Sequence, residues 1–90
     1  MYIQYNKFRW NPLKSERLKK VRGVSFEEIV TAEIIAIREH PTREWQYIMF
    51  FRYKGHIWMV PFVEGDDYIF LKTLYPSRKY TKSYKKGELR

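Results

Sequence analysis

The sequence predicts an α+β domain: a small antiparallel β-sheet with two N-terminal helices packed on one face and a short C-terminal helix. Three observations predict it. A stretch bounded by "NP" and a glycine reads as a helix and runs straight into a second helix-start signal. A run of β-branched and aromatic residues folds back on itself at "KG". The last basic segment follows a proline and carries tyrosines four residues apart.

The elements follow in order. "MYIQYNKF" is rich in β-formers and reads as a short strand. In "WNPLKSERLKKVRG", Asn11 is the N-cap, Pro12 suits the first helical position, and Gly23 closes the end in the left-handed conformation. Only Leu13, Leu18 and Val21 form an apolar stripe, so its other faces meet water or a partner. "SFEEIVTAE" starts a second helix, because Ser25 followed by Glu28 is a capping-box pattern with Phe26, Ile29 and Val30 on one face. From Ile34, "IIAIREH" reads as a strand that His40 and Pro41 end.

"WQYIMFFRY" and "HIWMVPFVE" form a hairpin around Lys54 and Gly55, and "GDD" leads to a third strand, "YIFLKTLY". Tyr53 then lies opposite His56, Trp45 near Glu64 and, across a three-residue turn, Glu64 opposite Tyr68. Pro61 implies a bulge or an outward-facing amide position. This register places Ile48, Phe50, Ile57, Met59, Val63, Ile69 and Leu71 on an aliphatic face suited to receive helices. The other face carries Trp45, Tyr47, Tyr53, His56, Trp58, Phe62, Tyr68, Phe70 and Lys72. Pro76 ends the strand, and Ser77 caps a helix from Arg78 to about Lys86 on which Tyr80 and Tyr84 share a docking face.

Ninety residues, 19% of them aromatic, make one domain over 1–90 with a core that needs no disulfide. No apolar run approaches the roughly 18 residues that span a bilayer, and "MYIQYNKFRW" has no signal-peptide core, so a cytoplasmic protein with no membrane partner is expected. The net charge of +8 is unevenly spread, with +6 in residues 7–22, −4 in 23–71 and +6 in 72–90. Two basic segments around an acidic middle point to a polyanionic partner.

Several chemistries find no support. There is no cysteine for thiolate chemistry, and His40 and His56 sit in different elements. Asp66 and Asp67 occupy a turn, so no metal and no other cofactor is expected. The four glycines are isolated, which excludes a phosphate-cradling loop, and no serine sits in a nucleophile elbow. What remains is cationic and aromatic: Lys14, Arg52, His56, Lys72, Arg78, Lys79 and several tyrosines. Such a set holds phosphate and stacks on unpaired bases. It also contains what metal-independent RNA cleavage requires: a base for the 2′-OH, cations for the phosphorane and an acid for the leaving oxygen.

At "RWNPLK…LKKVRGVSFEEI" the chain resembles the BrnT-type ribonuclease toxins of bacterial type II toxin–antitoxin systems. Trp10, Asn11, Pro12 and Lys14, then Gly23, Val24, Ser25, Phe26, Glu27 and Glu28, match that family's Trp-Asp-Pro-like opening and its helix junction. Near the C-terminus, "PSRKYTKSY" is similar to the family's "SARKATKKE", with Arg78, Lys79, Thr81 and Lys82 in matching places. Asn11 replaces an aspartate, Arg22 stands where a histidine is common, and Thr73 takes the place of a frequent arginine. The resemblance implies a RelE-like fold, mRNA cleavage that arrests growth, and a cognate antitoxin, typically of the ribbon-helix-helix type, in an operator-binding hetero-oligomer.

The expected function is therefore a toxin endoribonuclease, with a groove for RNA formed where the first and last helices flank the aromatic face. Arg78 is the candidate for the scissile phosphate, Lys79 and Lys14 for phosphate binding or proton supply, and Tyr84 for stacking or proton transfer. Lys72, Arg52, His56, Lys82, Lys85 and Trp58 are candidates for RNA contact. The alternatives are a non-catalytic nucleic-acid-binding module, a toxin acting on a protein such as gyrase, and a purely structural partner of an acidic antitoxin.

Overall fold

A computed structural model describes residues 7–87. The strand expected over "MYIQYNKF" lies mostly outside them; of it Lys7 and Phe8 are described, and only Phe8 is in a strand, β1 (Phe8–Arg9). Asn11 then starts α1 (Pro12–Arg22), its Oδ1 accepting from the Leu13 and Lys14 N–H groups at 2.9 and 3.2 Å. Gly23 ends the helix at φ +82°, a conformation that glycine adopts without strain. The second helix is shorter than its sequence implies. After the Ser25–Glu28 capping box, α2 (Phe26–Ile29) makes one turn, and β2 (Glu33–Glu39) follows, where β-branched residues take over.

β3 (Gln46–Tyr53) and β4 (His56–Glu64) form the expected hairpin, with Lys54 and Gly55 at positive φ in the turn and Tyr53 opposite His56. Trp45 stands outside it, one residue before β3. The next turn has four residues rather than three, closed by the Gly65 N–H on the Tyr68 carbonyl at 2.8 Å, and Glu64 faces Ile69. A Cβ on Gly65 would fall 2.2 Å from the Tyr68 ring, so a larger residue there would have to displace that partly exposed side chain. The single strand expected over 68–75 is instead β5 (Ile69–Leu71) and β6 (Tyr75–Ser77), both antiparallel to β4, so the chain stays extended through Pro76. α3 (Arg78–Lys85) closes the described fold. The sheet order is β1-β5-β4-β3-β2, with β6 also on β4, and β1 runs parallel to β5; the sheet is mixed rather than wholly antiparallel.

Pro61 explains the split. β3 and β4 pair without a slip, and the alternation from Tyr53–His56 directs the amide position of residue 61 away from β3. The ladder on that side therefore lacks one donor. The Pro61 carbonyl still accepts from the Lys72 N–H at 2.9 Å. From there to the Tyr75–Met59 pair the β5–β6 chain takes three steps while β4 takes two, which inserts one unpaired residue.

Both sheet faces are covered. Leu18 of α1, Val24 of the link that follows it, and Phe26 and Ile29 of α2 pack with Met49, Phe51, Trp58, Val60, Phe62, Ile69 and Leu71. Ile48, Phe50 and Ile57 receive Tyr80 and Tyr84 of α3 on the other side. The core residues of α1 and α2 thus lie on the more aromatic face and not on the aliphatic one. The aliphatic one takes α3, and Ile69 and Leu71 exchange sides because the turn is one residue longer. A groove with α1 and α3 on the same sheet face is not formed.

Two polar pins hold these layers. Buried Ser15 of α1 donates to the Glu27 carboxylate and accepts the Phe26 N–H at 3.0 Å, fixing α2 to α1. Thr81 of α3 accepts the Ile57 N–H at 2.9 Å and donates to the Ser77 carbonyl at 2.6 Å, while the Tyr80 ring meets Phe50 edge-on at 4.9 Å. No helix among the described residues is long and apolar enough to cross a membrane.

Replacing Thr81 by valine keeps the shape but strips the partner from the buried Ile57 N–H, so urea unfolding should show a loss of about 1–3 kcal/mol; an unchanged midpoint would refute the pin. The Glu28 carboxyl is held at about 2 by the Lys19 ammonium first, then by the Ser25 N–H and the Tyr53 hydroxyl. Its folded value lies below its ordinary 4.5, so this stabilisation is present above that pH and is lost as pH falls toward 2. The melting temperature of the parent should accordingly drop more steeply below pH about 4.5 than that of Glu28→Gln, and parallel curves would remove Glu28 from the acid transition.

Candidate functional site

The insertion beside Pro61 organises a cationic cluster. It frees the Leu74 carbonyl, which accepts a hydrogen bond from the Arg22 guanidinium; Arg22 also reaches Thr73 Oγ1 at 3.5 Å and lies 5.8 Å from the Tyr75 ring centroid. The C-terminal end of α1 is thereby tied to the β5–β6 junction. With Ser15 and Leu18 turned into the core, Lys14 and Arg17 lie on the flanks of α1.

Lys14 is half-buried and feels Arg17, Lys72 and Arg22. Burial first, then these three cations in that order, hold its ammonium below the usual lysine range. Among the described residues no ion pair reaches any of the four; the salt bridges there join Lys19 and Lys54 to Glu28, and Arg52 to Glu33. A phosphate placed here would relieve repulsion between like charges, and a lysine so poised exchanges protons nearer to neutrality.

Arg17, Lys72 and Arg22 all act on the Lys14 ammonium through their charge; of these the sequence reading included Lys72 and not Arg17 or Arg22. Arg17 was legible three residues after Lys14 on the same helix. Arg22 becomes legible only through its long-range bond to Leu74.

The other candidates lie elsewhere. Arg78, Lys79, Lys82 and Lys85 are exposed on α3, against the opposite sheet face, and make no hydrogen-bond or ion-pair contact with Lys14 or Lys72. Tyr84 packs on that face with the Arg52 guanidinium 5.9 Å from its ring centroid, while Arg52 itself donates to Glu33 at 2.7 and 3.0 Å. His56 is exposed at the hairpin with Nδ1 3.2 Å from the Lys54 carbonyl. Trp58 is 7% exposed and its indole N–H donates to the Tyr53 carbonyl, so it belongs to the core and offers no stacking surface. Among the described residues no group of three or more His, Cys, Asp or Glu side chains is placed to hold a metal ion.

No family model and no curated protein sequence matches the chain. Among solved structures, the crystal structure of the Brucella abortus ribonuclease toxin BrnT is similar, with a TM-score of 0.53 and 16% sequence identity, over 78% of this chain and 94% of that one. At that identity the likeness is one of fold: this chain has a BrnT-like α+β fold.

Proposed function

We propose that this protein is the toxin of a type II toxin–antitoxin system: a metal-independent endoribonuclease that cleaves mRNA and arrests growth until a cognate antitoxin covers it. The observation that carries the reading is the BrnT-like fold, on which Lys14 feels the like charges of Arg17, Lys72 and Arg22 and none of the four has an ion pair among the described residues. The partner fits as an antitoxin of the ribbon-helix-helix kind in an operator-binding hetero-oligomer. Its acidic groups would meet the same cations.

In the proposed reaction the neutral Lys14 amine takes the proton of a ribose 2′-OH. The 2′-oxygen attacks the adjacent phosphorus, the P–O2′ bond forms and the P–O5′ bond breaks. Lys72 gives its proton to the departing 5′-oxygen, leaving a 2′,3′-cyclic phosphate and a 5′-OH. Arg17 and Arg22 face the charge that grows on the phosphorane; Arg22 retains N–H donors beyond the one held by Leu74. Arg78 and Lys79, at the start of α3, bind a flanking phosphate, and Lys82 and Lys85 extend that contact along the backbone.

Induction of the chain alone in bacteria should degrade mRNA and stop growth within minutes. Purified Lys14→Ala should cleave RNA about 10²–10⁴-fold more slowly while keeping its circular dichroism. Parent-like cleavage by that variant would remove Lys14 from the chemistry, and RNA bound tightly but left intact by the parent would replace the enzyme with a binding module. The pH profile gives a second check: the rate should climb with pH as Lys14 loses its proton. Arg17→Ala removes one of the cations that lower the Lys14 value, so it should move the rising limb to higher pH; a limb that stays in place would mean another group titrates.

A further inference from the structure

Among the large apolar side chains of the described residues, Trp45 is more exposed than Leu13, Val21 or Tyr68. Trp45 is 82% exposed and has φ +63°, a left-handed conformation that a bulky residue rarely adopts. Such strain persists where the surrounding chain imposes it. Here the His40 N–H donates to the Gln46 carbonyl at 2.9 Å, and His40 Nδ1 accepts from the Thr42 and Arg43 N–H groups, each at 3.2 Å. The β2–β3 loop is therefore built to present the indole. Beside it lies an open cavity of about 480 Å³ lined by Glu39, His40, Arg43, Glu44, Trp45 and Tyr47, in the size range of small-ligand sites.

We propose that this loop is a stacking site for one unpaired base of the bound RNA, with Trp45 as the platform; the proposal rests on the ribonuclease reading above. The lining decides which part of the RNA enters. Two carboxylates disfavour phosphate, whereas they accept hydrogen bonds from the amino edges of guanine, cytosine or adenine. An indole face stacks on any base, and Arg43 meets the backbone at the rim. The register sets the reach. Lys72 bonds Pro61, Pro61 faces Ile48, and Trp45 precedes Ile48 by three residues. Two strand spacings and three residue rises put the Lys72 and Trp45 backbones about 14 Å apart. A single strand leaving the Lys14–Lys72 cluster spans that in a few nucleotides.

A 2′-O-methyl oligonucleotide has no nucleophile and so reports binding without cleavage. Added to the parent, it should quench the exposed tryptophan emission. Trp45→Ala should bind it about 10-fold more weakly, a loss typical of one stacked base, and Trp45→Phe should recover most of that loss. An abasic strand of equal length should bind parent and Trp45→Ala alike. Equal affinity of parent and Trp45→Ala for the methylated strand, with no quenching, would overturn the stacking site and leave the ribonuclease reading standing. If the parent binds no RNA at all, both fall together. A blue shift of the emission with protein concentration in the absence of RNA would assign Trp45 to a protein contact and likewise overturn the proposal.

Discussion

The absence of one backbone donor, at Pro61, shapes much of this molecule. At that position the outer edge of β4 offers a carbonyl but no N–H to a neighbouring strand. Without it, β5 and β6 dock in succession with one residue between them, and the Leu74 carbonyl has no ladder partner. Arg22 supplies that partner from the end of α1. The same bond draws the basic helix to the junction, so the ladder defect and the concentration of positive charge around Lys14 have a common origin.

Three carboxylates of the acidic middle, Glu27, Glu28 and Glu33, complement this arrangement by binding neighbouring groups. Glu27 holds Ser15, and that hydrogen bond keeps its carboxyl below the usual range against the opposing effect of burial. Glu28 accepts from Ser25, Lys19 and Tyr53, and Glu33 accepts from Arg52. These carboxylates engage the lysines and arginine nearest the α2 and hairpin region, and among the described residues the outer cations of α1 and α3 have no ion pair. Exposed pairs of this kind add little stability each. Their larger effect is on the distribution of charge, since they neutralise cations around α2 and the hairpin.

Local chemistry made much of the fold legible from sequence: Asn11, Pro12 and Gly23 bound α1, Ser25 and Glu28 mark α2, Lys54 and Gly55 turn the hairpin, and Ser77 caps α3. The failures share a physical cause. Alternation identifies the inner face of a strand only when the other face is wet, and here helices cover both. Phe50 and Phe51 are each buried, on opposite sides, so neither could be told from the other as the face for a given helix. The β5 register depended on the length of one turn, and residue 65 to 68 counts could not be fixed before the Gly65–Tyr68 contact was seen. For the candidate site, Lys14 and Lys72 were legible as cations. Arg22 was not, because its role depends on a carbonyl 52 residues away, and Trp58 was misread because its polar tip finds its acceptor inside the core.

The three-residue β6 has a consequence for how this surface can diversify. Arg22 grips the chain at Leu74, just before β6, and Thr81 anchors it to Ile57, just after the strand ends. Between these two clamps the chain is extended and paired, so it acts as a ruler and not as a tether. Its length sets both the spacing and the handedness with which α3 meets the sheet, since one residue more or less reverses the side from which the helix departs. Related sequences can therefore exchange side chains along α3 freely, but insertions and deletions between positions 74 and 81 should be absent from any that keep Tyr80 and Tyr84 seated on Phe50 and Ile57.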